Sequence, residues 1–308
     1  VALLPPDQRR CFDAYCFFLR RGAQRDLSRD ERACVASYLH GAVLFVFKFT
    51  PSTSFEVETP ALLQGSAQCV AGKACHNGEQ ATFVVATNSG AYIWHPSPRG
   101  SLANPCYVHI PHSPPLIRAS SIAHDATAVL CDEGLYTFGT AFPRLGHNCL
   151  AEQTTPKMVE AFRGMKVQQV ALGVGHTAVI CDDRLYTFGC GEDGQLGHGD
   201  RVSHFFPKCV DIGRGMTKVA CGQLHTIIMW PTQVLVCGNG VVGVPSNLNA
   251  FKGQTIHDIA AGGRCSAVAS TMGVFILDGE FRRLHILEDA STAPLPFLGA
   301  LQIVGCPD

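Results

Sequence analysis

The loop at residues 189–194 has the glycine spacing of a dinucleotide-binding turn. Gly189, Gly191 and Gly194 are spaced G-x-G-x-x-G and follow an apolar run. Such a turn binds a pyrophosphate when it leads into an amphipathic helix of a βαβ unit. Here the run "RVSHFFP" follows after more glycine, with no helical period. Tight chain reversals at positive φ explain these glycines better, and we predict no nucleotide cofactor.

Two histidines at corresponding places in the chain are candidates for a general base or a metal ligand. His176 follows Gly173, His225 follows Gly222, and each histidine precedes a threonine. A reaction needs its base once, whereas a structural group recurs with every repeat. We therefore interpret both as structural histidines that bond neighbouring backbone inside their own repeat. Cys265 fills this place in another repeat, which fits a packing role.

The other groups that could bind a metal or catalyse a reaction lack the necessary spacing. Cys69, Cys75 and His76 form no C-x2–4-C pair, and no second pair follows at zinc-finger distance. His109 and His112 flank a proline in "YVHIPHSPP", which is typical of a loop tip. Turn propensity explains the acidic side chains, which are Asp132, Glu133, Asp182, Asp183, Glu192 and Asp193. We predict no catalytic residue, no metal and no enzymatic activity.

The composition limits the classes of partner. The 308 residues carry a formal net charge of −1, and only 16% of them are charged. A chain without a basic excess has no overall field that attracts nucleic acid or an anionic membrane, so we expect no sequence-specific DNA binding. The longest apolar run, at 42–49, contains Lys48 and is too short to span a bilayer. The sequence therefore predicts no membrane insertion.

The cysteines indicate an intracellular, reducing compartment. There are 15 of them, scattered singly in apolar runs and without a C-x-x-C motif. An isolated free cysteine behaves as a small buried hydrophobe, so no disulfide framework is expected. The start, "VALLPPDQRR", lacks the basic and apolar regions of a secretory signal. It also lacks an initiator methionine, which indicates a fragment or a processed chain.

The elements that position these residues belong to a repeat. Residues 127–139, "TAVLCDEGLYTFG", match residues 177–189, "TAVICDDRLYTFG", at an offset of 50. Each unit has four short β-prone runs with a two-residue acidic turn between the second and third, which is hairpin chemistry. A period of 40 to 52 residues is the size of a propeller blade. The units start at Val70, Ile122, Val170, Val219, Ile259 and Ile303. We predict an all-β fold, a β-propeller of four-stranded blades.

The stretch "GHTAVICDDRLYTFGCGEDGQLGHGD" at 175–200 resembles the regulator-of-chromosome-condensation repeat family. Across 66–306, the resemblance implies a β-propeller, which in that family usually has seven blades. It implies a structural role for the glycines that end strands and for the histidines that follow. These repeat-structural residues are Gly139, Gly173, His176, Gly189, Gly197, Gly222, His225 and Gly238.

The two ends of the repeat region predict one blade shared between the termini. Residues 302–306 resemble only a first strand, and residues 33–63 resemble the other three, with the last strand after Pro60. Such closure hides open strand edges. The count is six blades, or seven if a unit is missing from this chain. A capping box at 28–31 offers an alternative, a helix towards residue 39, but the ring favours a strand.

We divide the chain into an N-terminal helical arm, 1–32, and the propeller, 33–308. The arm contains a short amphipathic helix at 7–21, because one apolar face recurs at helical spacing. The arm is also rich in arginine, with acidic residues interspersed. A solvated helix face explains this pattern, and contact with an acidic partner or an RNA backbone is the alternative.

Non-repeating loops on a rigid ring suit partner binding. The units that match least well carry an insertion at 73–80 and a proline-rich loop at 95–115. The residues that we expect to contact a partner are Pro96, Pro98, Arg99, His109, His112, Arg20 and Arg21.

We therefore predict a non-enzymatic protein-interaction scaffold, a subunit of a larger assembly such as an RNA–protein or cytoskeletal complex. The alternative, implied by the family resemblance, is a guanine nucleotide exchange factor for a Ran-type small GTPase. The sequence shows no loop that could be assigned as the wedge that such exchange requires.

Overall fold

The structure is a computed structural model that describes part of the chain. Between residues 35 and 123 it describes the backbone of eight strands. From there it describes residues 126–139, 143–148, 152–240 and 242–286, nearly all with their side chains. The predicted helix at 7–21 and the predicted strand at 302–306 lie outside the described residues, and the domain boundary at residue 32 stays a prediction.

In the part of the chain that the structure describes, twenty-three strands form six antiparallel sheets, which we call blades I to VI. Blade I contains β1 (Val35–His40), β2 (Val43–Phe49) and β3 (Phe55–Glu58); blade II contains β4 (Ala67–Lys73), β5 (Thr82–Thr87), β6 (Gly90–Trp94) and β7 (Cys106–Val108). Blade III contains β8 (Ile117–Ala123), β9 (Ala126–Cys131), β10 (Gly134–Gly139) and β11 (Gln153–Met158); blade IV contains β12 (Val167–Leu172), β13 (His176–Cys181), β14 (Arg184–Gly189) and β15 (His204–Val210). Blade V contains β16 (Lys218–Cys221), β17 (His225–Trp230), β18 (Gln233–Gly238) and β19 (Val242–Asn247); blade VI contains β20 (Ile256–Ala261), β21 (Ser266–Ser270), β22 (Gly273–Leu277) and β23 (Arg283–Ile286).

The blades follow one another around a common axis. Five sheets have four strands in sequence order. The first strands of successive blades contact one another, β4 with β8, β8 with β12, β12 with β16 and β16 with β20. This arrangement confirms the all-β propeller of four-stranded blades. Apart from two 3-10 turns, Glu160–Phe162 and Asn249–Phe251, the described residues contain no helix.

Blade I confirms one alternative at the start of the repeat region and corrects another prediction. Residues 35–40 are a strand, as the ring required, and not a helix that begins at the capping box. The last strand of this blade was predicted after Pro60, but the strand is Phe55–Glu58. Its residues alternate apolar with acidic, which suits a half-buried strand, and it pairs with β2 from Phe49↔Phe55 onward. The described part of this sheet has three strands, and its predicted first strand, at 302–306, lies outside the described residues.

The proline-rich segment at 95–115 is not a loop throughout. Residues 106–108 pair with β6 and form the outer strand of blade II. The sequence did not indicate this strand, because it has only three residues and lies among prolines and histidines. The partner-binding loop that we predicted therefore divides into two connections around β7, and both lie outside the described residues.

Two-residue turns join the second and third strands of blades III and IV, as the acidic dipeptides predicted, and also those of blades V and VI, where the turn residues are not acidic. In blade IV, Cys181 pairs with Arg184, and Asp182 and Asp183 between them have φ of 48° and 58°. Both turn residues lie in the left-handed region, which matches a type I′ turn. Aspartate tolerates this region better than most residues do, which explains the acidic turn without any chemistry.

Side chains on the first strands tie neighbouring blades together. The amide of Gln169 in β12 accepts from the backbone N of Val219 at 2.9 Å and donates to its carbonyl at 3.1 Å. Lys218 in β16 forms an ion pair with Asp258 in β20. These contacts cross the boundaries from IV to V and from V to VI.

The core lies between blades rather than inside each sheet. Phe162 and Phe251, one from each 3-10 turn, are almost fully buried, with 1% and 0% of their surface exposed. Phe162 packs with Val170 and Phe188 of the next blade, and its ring meets Tyr186 edge-on at 5.4 Å. Phe251 meets Phe275 of blade VI in the same way at 5.5 Å. Each 3-10 turn therefore seals the boundary between two blades.

Candidate partner-binding surface

The loop after the third strand of a blade bonds to the next blade. We call the loops at 140–152 and 190–203 the rim loops of blades III and IV. In the first, Arg144 donates to the carbonyl of Gly173 at 3.0 Å, and its own carbonyl accepts from Thr177 at 2.7 Å. In the second, the carbonyl of Gln195 accepts from Thr226 at 2.7 Å. Arg144 and Gln195 are buried, so these loops are fixed at their bases.

The repeated histidines join blades through hydroxyl groups. His176 Nε2 lies 2.8 Å from Thr226 Oγ1 of blade V, and His225 Nε2 lies 2.6 Å from Ser266 Oγ of blade VI. Our prediction that they bond backbone inside their own repeat was wrong, although the structural role holds. A single repeat cannot reveal this partner, because the partner side chain belongs to the next copy.

Hydrogen-bond direction assigns the tautomer of His176. The hydroxyl of Thr226 gives its only proton to the carbonyl of Gln195, so its oxygen must accept from His176 Nε2–H. The Nδ1 atom then carries no proton and is buried without a hydrogen-bond partner. Burial, helped by the charges of His225 and Arg144, lowers the pKa of His176 to about 3. Burial lowers the pKa of His225 to about 4.

Glycine at positions 173 and 222 makes room for these rings. A Cβ on Gly173 would lie 2.5 Å from the carbonyl oxygen of Gly222 and 2.6 Å from Cε1 of His176. A Cβ on Gly222 would lie 2.2 Å from Cε1 of His225. Each glycine therefore lets a neutral imidazole pack against backbone, and neither histidine reaches solvent to act as a base.

The other predicted repeat glycines end strands or pack on the next blade. Gly139, Gly189 and Gly238 close the third strands of blades III, IV and V with φ of 130°, 114° and 110°. Gly197 lies in the rim loop of blade IV, where a Cβ would lie 3.0 Å from Cγ of Pro245 in blade V. Their conformations and close contacts account for the glycine-rich loop that resembled a phosphate cradle.

Sequence reasoning missed a second set of histidines. His147 Nε2 lies 2.9 Å from Thr137 Oγ1, and His198 Nε2 lies 3.0 Å from Thr187 Oγ1. Both threonines donate to a rim-loop carbonyl, so both histidines also donate through Nε2. Burial is the main cause that lowers the pKa of His198 to about 4. The signal was present, since "LGH" recurs at 145–147 and 196–198.

We expect Thr226→Val to lower the free energy of unfolding by about 2 kcal/mol, because it leaves His176 Nε2–H without a partner and the Gln195 carbonyl with only the weak donor Cys237 Sγ at 3.5 Å. Urea denaturation would measure this. Thr217→Val is the matched control, since Thr217 bonds only within blade V, to Met229 at 3.3 Å. Equal losses in the two variants would contradict the role of Thr226 between blades.

The predicted partner-binding residues lie outside the described residues, namely Pro96, Pro98, Arg99, His109, His112, Arg20 and Arg21. Among the described residues, no group of three histidine, cysteine or acidic side chains is placed to hold a metal ion. The same part of the chain contains no helix long and apolar enough to cross a membrane.

The structure instead presents a surface that the sequence did not predict. Val202, Phe206 and Val244, which we call the outer apolar patch, expose 55%, 50% and 53% of their surface, whereas Phe205, which is 37% exposed, faces the other side of β15. Phe206 and Val244 occupy the same place on the outer strands of adjacent blades, one residue before a proline. Thr155 occupies that place in blade III, so the patch ends there.

The regulator of chromosome condensation (RCC1) repeat model matches residues 132–180 and 182–229. The human E3 ubiquitin-protein ligase HERC2 is 28% identical over 167 residues, which are 48% of this chain and 4% of that protein. The Arabidopsis thaliana ultraviolet-B receptor UVR8 is 31% identical over 145 residues, 42% of this chain and 33% of the receptor. The chain thus spans a minor part of these relatives.

Two solved structures share the fold. Human WBSCR16 superposes with a TM-score of 0.58 at 19% identity, covering 69% of this chain and 62% of that one. Yeast RCC1 (Prp20), bound to Kap60, gives a TM-score of 0.58 at 17% identity, covering 72% and 58%. The matched repeats contain His176, Thr226 and the rim-loop residue Gln195, which hydrogen bonds connect across the boundary between blades IV and V. The chain therefore carries regulator-of-chromosome-condensation repeats at 132–180 and 182–229 and shares the propeller fold of these two structures.

Proposed function

We propose that this chain is a non-enzymatic protein-interaction scaffold and a subunit of a larger assembly. One observation carries the proposal: the polar side chains that recur from blade to blade are used to bond the blades together. The side chains of His176, His225 and Thr226 are buried, and each forms a hydrogen bond to the neighbouring blade. A rigid ring with variable loops is a scaffold that suits partner binding.

The location that fits this proposal is an intracellular, reducing compartment. Cys131, Cys181 and Cys237 are buried free thiols, and burial raises the pKa of each to about 12. A thiol with a raised pKa is a poor nucleophile, and its contribution is packing. These side chains support the interpretation that cysteine serves the core.

The loop before β7 provides the test of the scaffold. We expect that deleting residues 96–103 leaves the far-ultraviolet circular dichroism unchanged and abolishes co-purification of the partner from cell lysate. This deletion spares β7, which a deletion through residue 115 would remove. The matched control replaces Thr271-Met272, the exposed turn of blade VI, with Asn-Gly. Unchanged co-purification after the deletion would contradict this loop's role.

Membership of a larger assembly has its own test. The apparent mass in a gentle lysate should lie well above the 33.0 kDa of the chain itself. A single peak at the monomer mass would contradict both the assembly and the scaffold.

The second candidate is guanine nucleotide exchange on a Ran-type GTPase. Its support is the repeat family together with the fold of Prp20p from Saccharomyces cerevisiae, a protein that binds Gsp1p and histones; that chain superposes with a TM-score of 0.54 at 18% identity. Purified chain would be mixed with a Ran-type GTPase loaded with fluorescent nucleotide. Acceleration of release by orders of magnitude would replace the scaffold proposal with this one.

A further inference from the structure

Blade V has no long rim loop to place on the blade that follows it. Only residues 239–241 join its third and fourth strands, whereas residues 140–152 and 190–203 make the same connection in blades III and IV. Asn239 makes a direct bond to blade VI instead, since its Nδ2 donates to the carbonyl of Gly279 at 2.7 Å. The boundary between blades V and VI is therefore formed without a rim loop.

The hydroxyl that binds a rim loop is nevertheless present on blade VI. Thr177 and Thr226 each donate to a carbonyl of the preceding blade's rim loop at 2.7 Å. Ser266 occupies the same place in blade VI, directly after Cys265, which stands where the histidine recurs in the other repeats. The Oγ of Ser266 lies 2.6 Å from Nε2 of His225 in blade V. Blade VI therefore keeps the hydroxyl for a loop that blade V does not supply.

One buried proton at this place has no acceptor among the described residues. His225 is neutral at pH 7, because burial lowers its pKa to about 4. If Ser266 donates to Nε2, the ring proton lies on Nδ1, which is buried without a hydrogen-bond partner. If His225 donates instead, no described residue accepts the hydroxyl proton of Ser266. The two side chains are 0% and 1% exposed, and a buried donor without an acceptor is costly. The unmade bond therefore favours an acceptor from outside the described chain.

A strained aromatic residue covers these two side chains. Phe281 belongs to the short connection at 278–282 in blade VI, and its ring meets that of His225 edge-on at 5.6 Å. Its φ is 60°, in the left-handed region, which a bulky residue adopts rarely and at a cost in energy. The ring offers no oxygen or nitrogen atom to accept the buried proton. Displacing Phe281 would relieve its backbone strain, so this cover is suited to being exchanged for a better one.

We propose that the V/VI junction, which consists of His225, Asn239, Ser266 and Phe281, binds a loop of another protein in the place where blade V has no rim loop. A backbone carbonyl of that loop accepts from Ser266 Oγ, and His225 then donates through Nε2 as His176 does. Phe281 moves aside to admit the loop. This inference rests on the proposed scaffold function and names the chemistry of one partner segment.

The chain's own rim loops show which kind of loop fits. In each, the residue whose carbonyl accepts the hydroxyl is followed by a buried leucine and a glycine, Leu145-Gly146 and Leu196-Gly197. The two glycines have φ of 78° and 75°. The interface that recurs at the III/IV and IV/V boundaries thus continues to the V/VI junction, and its occupant is a loop that contains Leu-Gly. Because both rim loops are already bonded to their own next blade, the loop comes from a different protein rather than from a second copy.

The test uses a head-to-tail cyclised, fluorescently labelled peptide with the sequence of residues 191–202, added to the purified 308-residue chain. We expect saturable binding by fluorescence anisotropy. Ser266→Ala should weaken it at least about fivefold, because the carbonyl of the peptide loses its donor. Phe281→Gly should strengthen it at least about threefold, because the peptide no longer has to displace the ring.

Two controls separate this contact from general effects on the fold and from unspecific adhesion. Ser246→Ala should leave binding unchanged, because the Ser246 hydroxyl is exposed and bonds the carbonyl of Val244 within blade V at 3.2 Å. A peptide that carries Leu196→Asp should not bind. Absence of binding by the original peptide, or equal binding by the chain with Ser266→Ala, would overturn the inference.

Movement of Phe281 has a measurement of its own. In Phe281→Trp, addition of the peptide should shift the emission of the new indole to longer wavelength as it becomes exposed, and unchanged emission would contradict the displacement. Excess peptide should also release a partner that co-purifies from cell lysate. If the partner stays bound in excess peptide while the deletion of 96–103 removes it, the inference fails and the scaffold remains.

Discussion

Gly238→Ala is expected to lower the free energy of unfolding by about 3 kcal/mol or more. A Cβ at this position would lie 2.2 Å from the carbonyl oxygen of Leu224 and 2.7 Å from Cα of His225. Both atoms belong to backbone, so no side-chain rotation relieves the overlap. The φ of 110° adds strain, and overpacking and backbone strain each cost roughly 1–3 kcal/mol. Urea denaturation of the purified chain measures the loss.

The matched control is Gly253→Ala. Gly253 also has a positive φ, 80°, but nothing lies within 4 Å of its added Cβ. Backbone strain alone should cost about 1 kcal/mol there. If the two variants lose equal stability, then the close approach between the second and third strands is not the reason for glycine at 238.

Acidification from pH 7 to pH 5 is expected to destabilise the chain by about 4 kcal/mol through two buried histidines. The pKa of His176 is lowered to about 3 and that of His225 to about 4, against about 6.5 in the unfolded chain. Below pH 6.5 the unfolded chain therefore binds protons that the folded chain cannot bind. Stability is full above that pH and is lost as pH falls, by about 1.4 kcal/mol per histidine and pH unit.

His176→Gln separates this effect from other acid-sensitive groups. Glutamine can still donate to Thr226 but does not titrate, so stability at pH 7 should fall while the slope of stability against pH between 5 and 6.5 decreases by the share of one histidine, about 1.4 kcal/mol per pH unit. His257→Ala, at an exposed position of β20, is the control for replacing a histidine outside the bonds between blades. A slope in His176→Gln equal to that of the unmodified chain would refute the assignment.

The propeller was predictable because its signal is repeated. Two-residue turns such as Asp182-Asp183 and strand-ending glycines such as Gly189 recur at a fixed offset, and each is explained by local backbone geometry. The short outer strand at 106–108 and the strand at 55–58 were missed or misplaced. These strands have three and four residues and lack the repeated residues that marked the others.

The bonds between blades were not predictable in the same way. The sequence places His176 and Thr226 50 residues apart, and both look like members of one recurring motif. Only the radial arrangement shows that one copy's histidine meets the next copy's hydroxyl. The sequence did not predict the outer apolar patch for a related reason: Phe206 and Val244 look like ordinary strand residues until their exposure is known.

The hydrogen bonds from each rim loop to the following blade affect how the number of blades can change during evolution. Arg144 and Gln195 each bond to the blade that follows, so the same contact between a rim loop and the next blade recurs at two successive boundaries. Duplicating one blade adds one complete contact of this kind, and removing one blade removes one complete contact. The number of blades can therefore drift among descendants without the invention of a new interface.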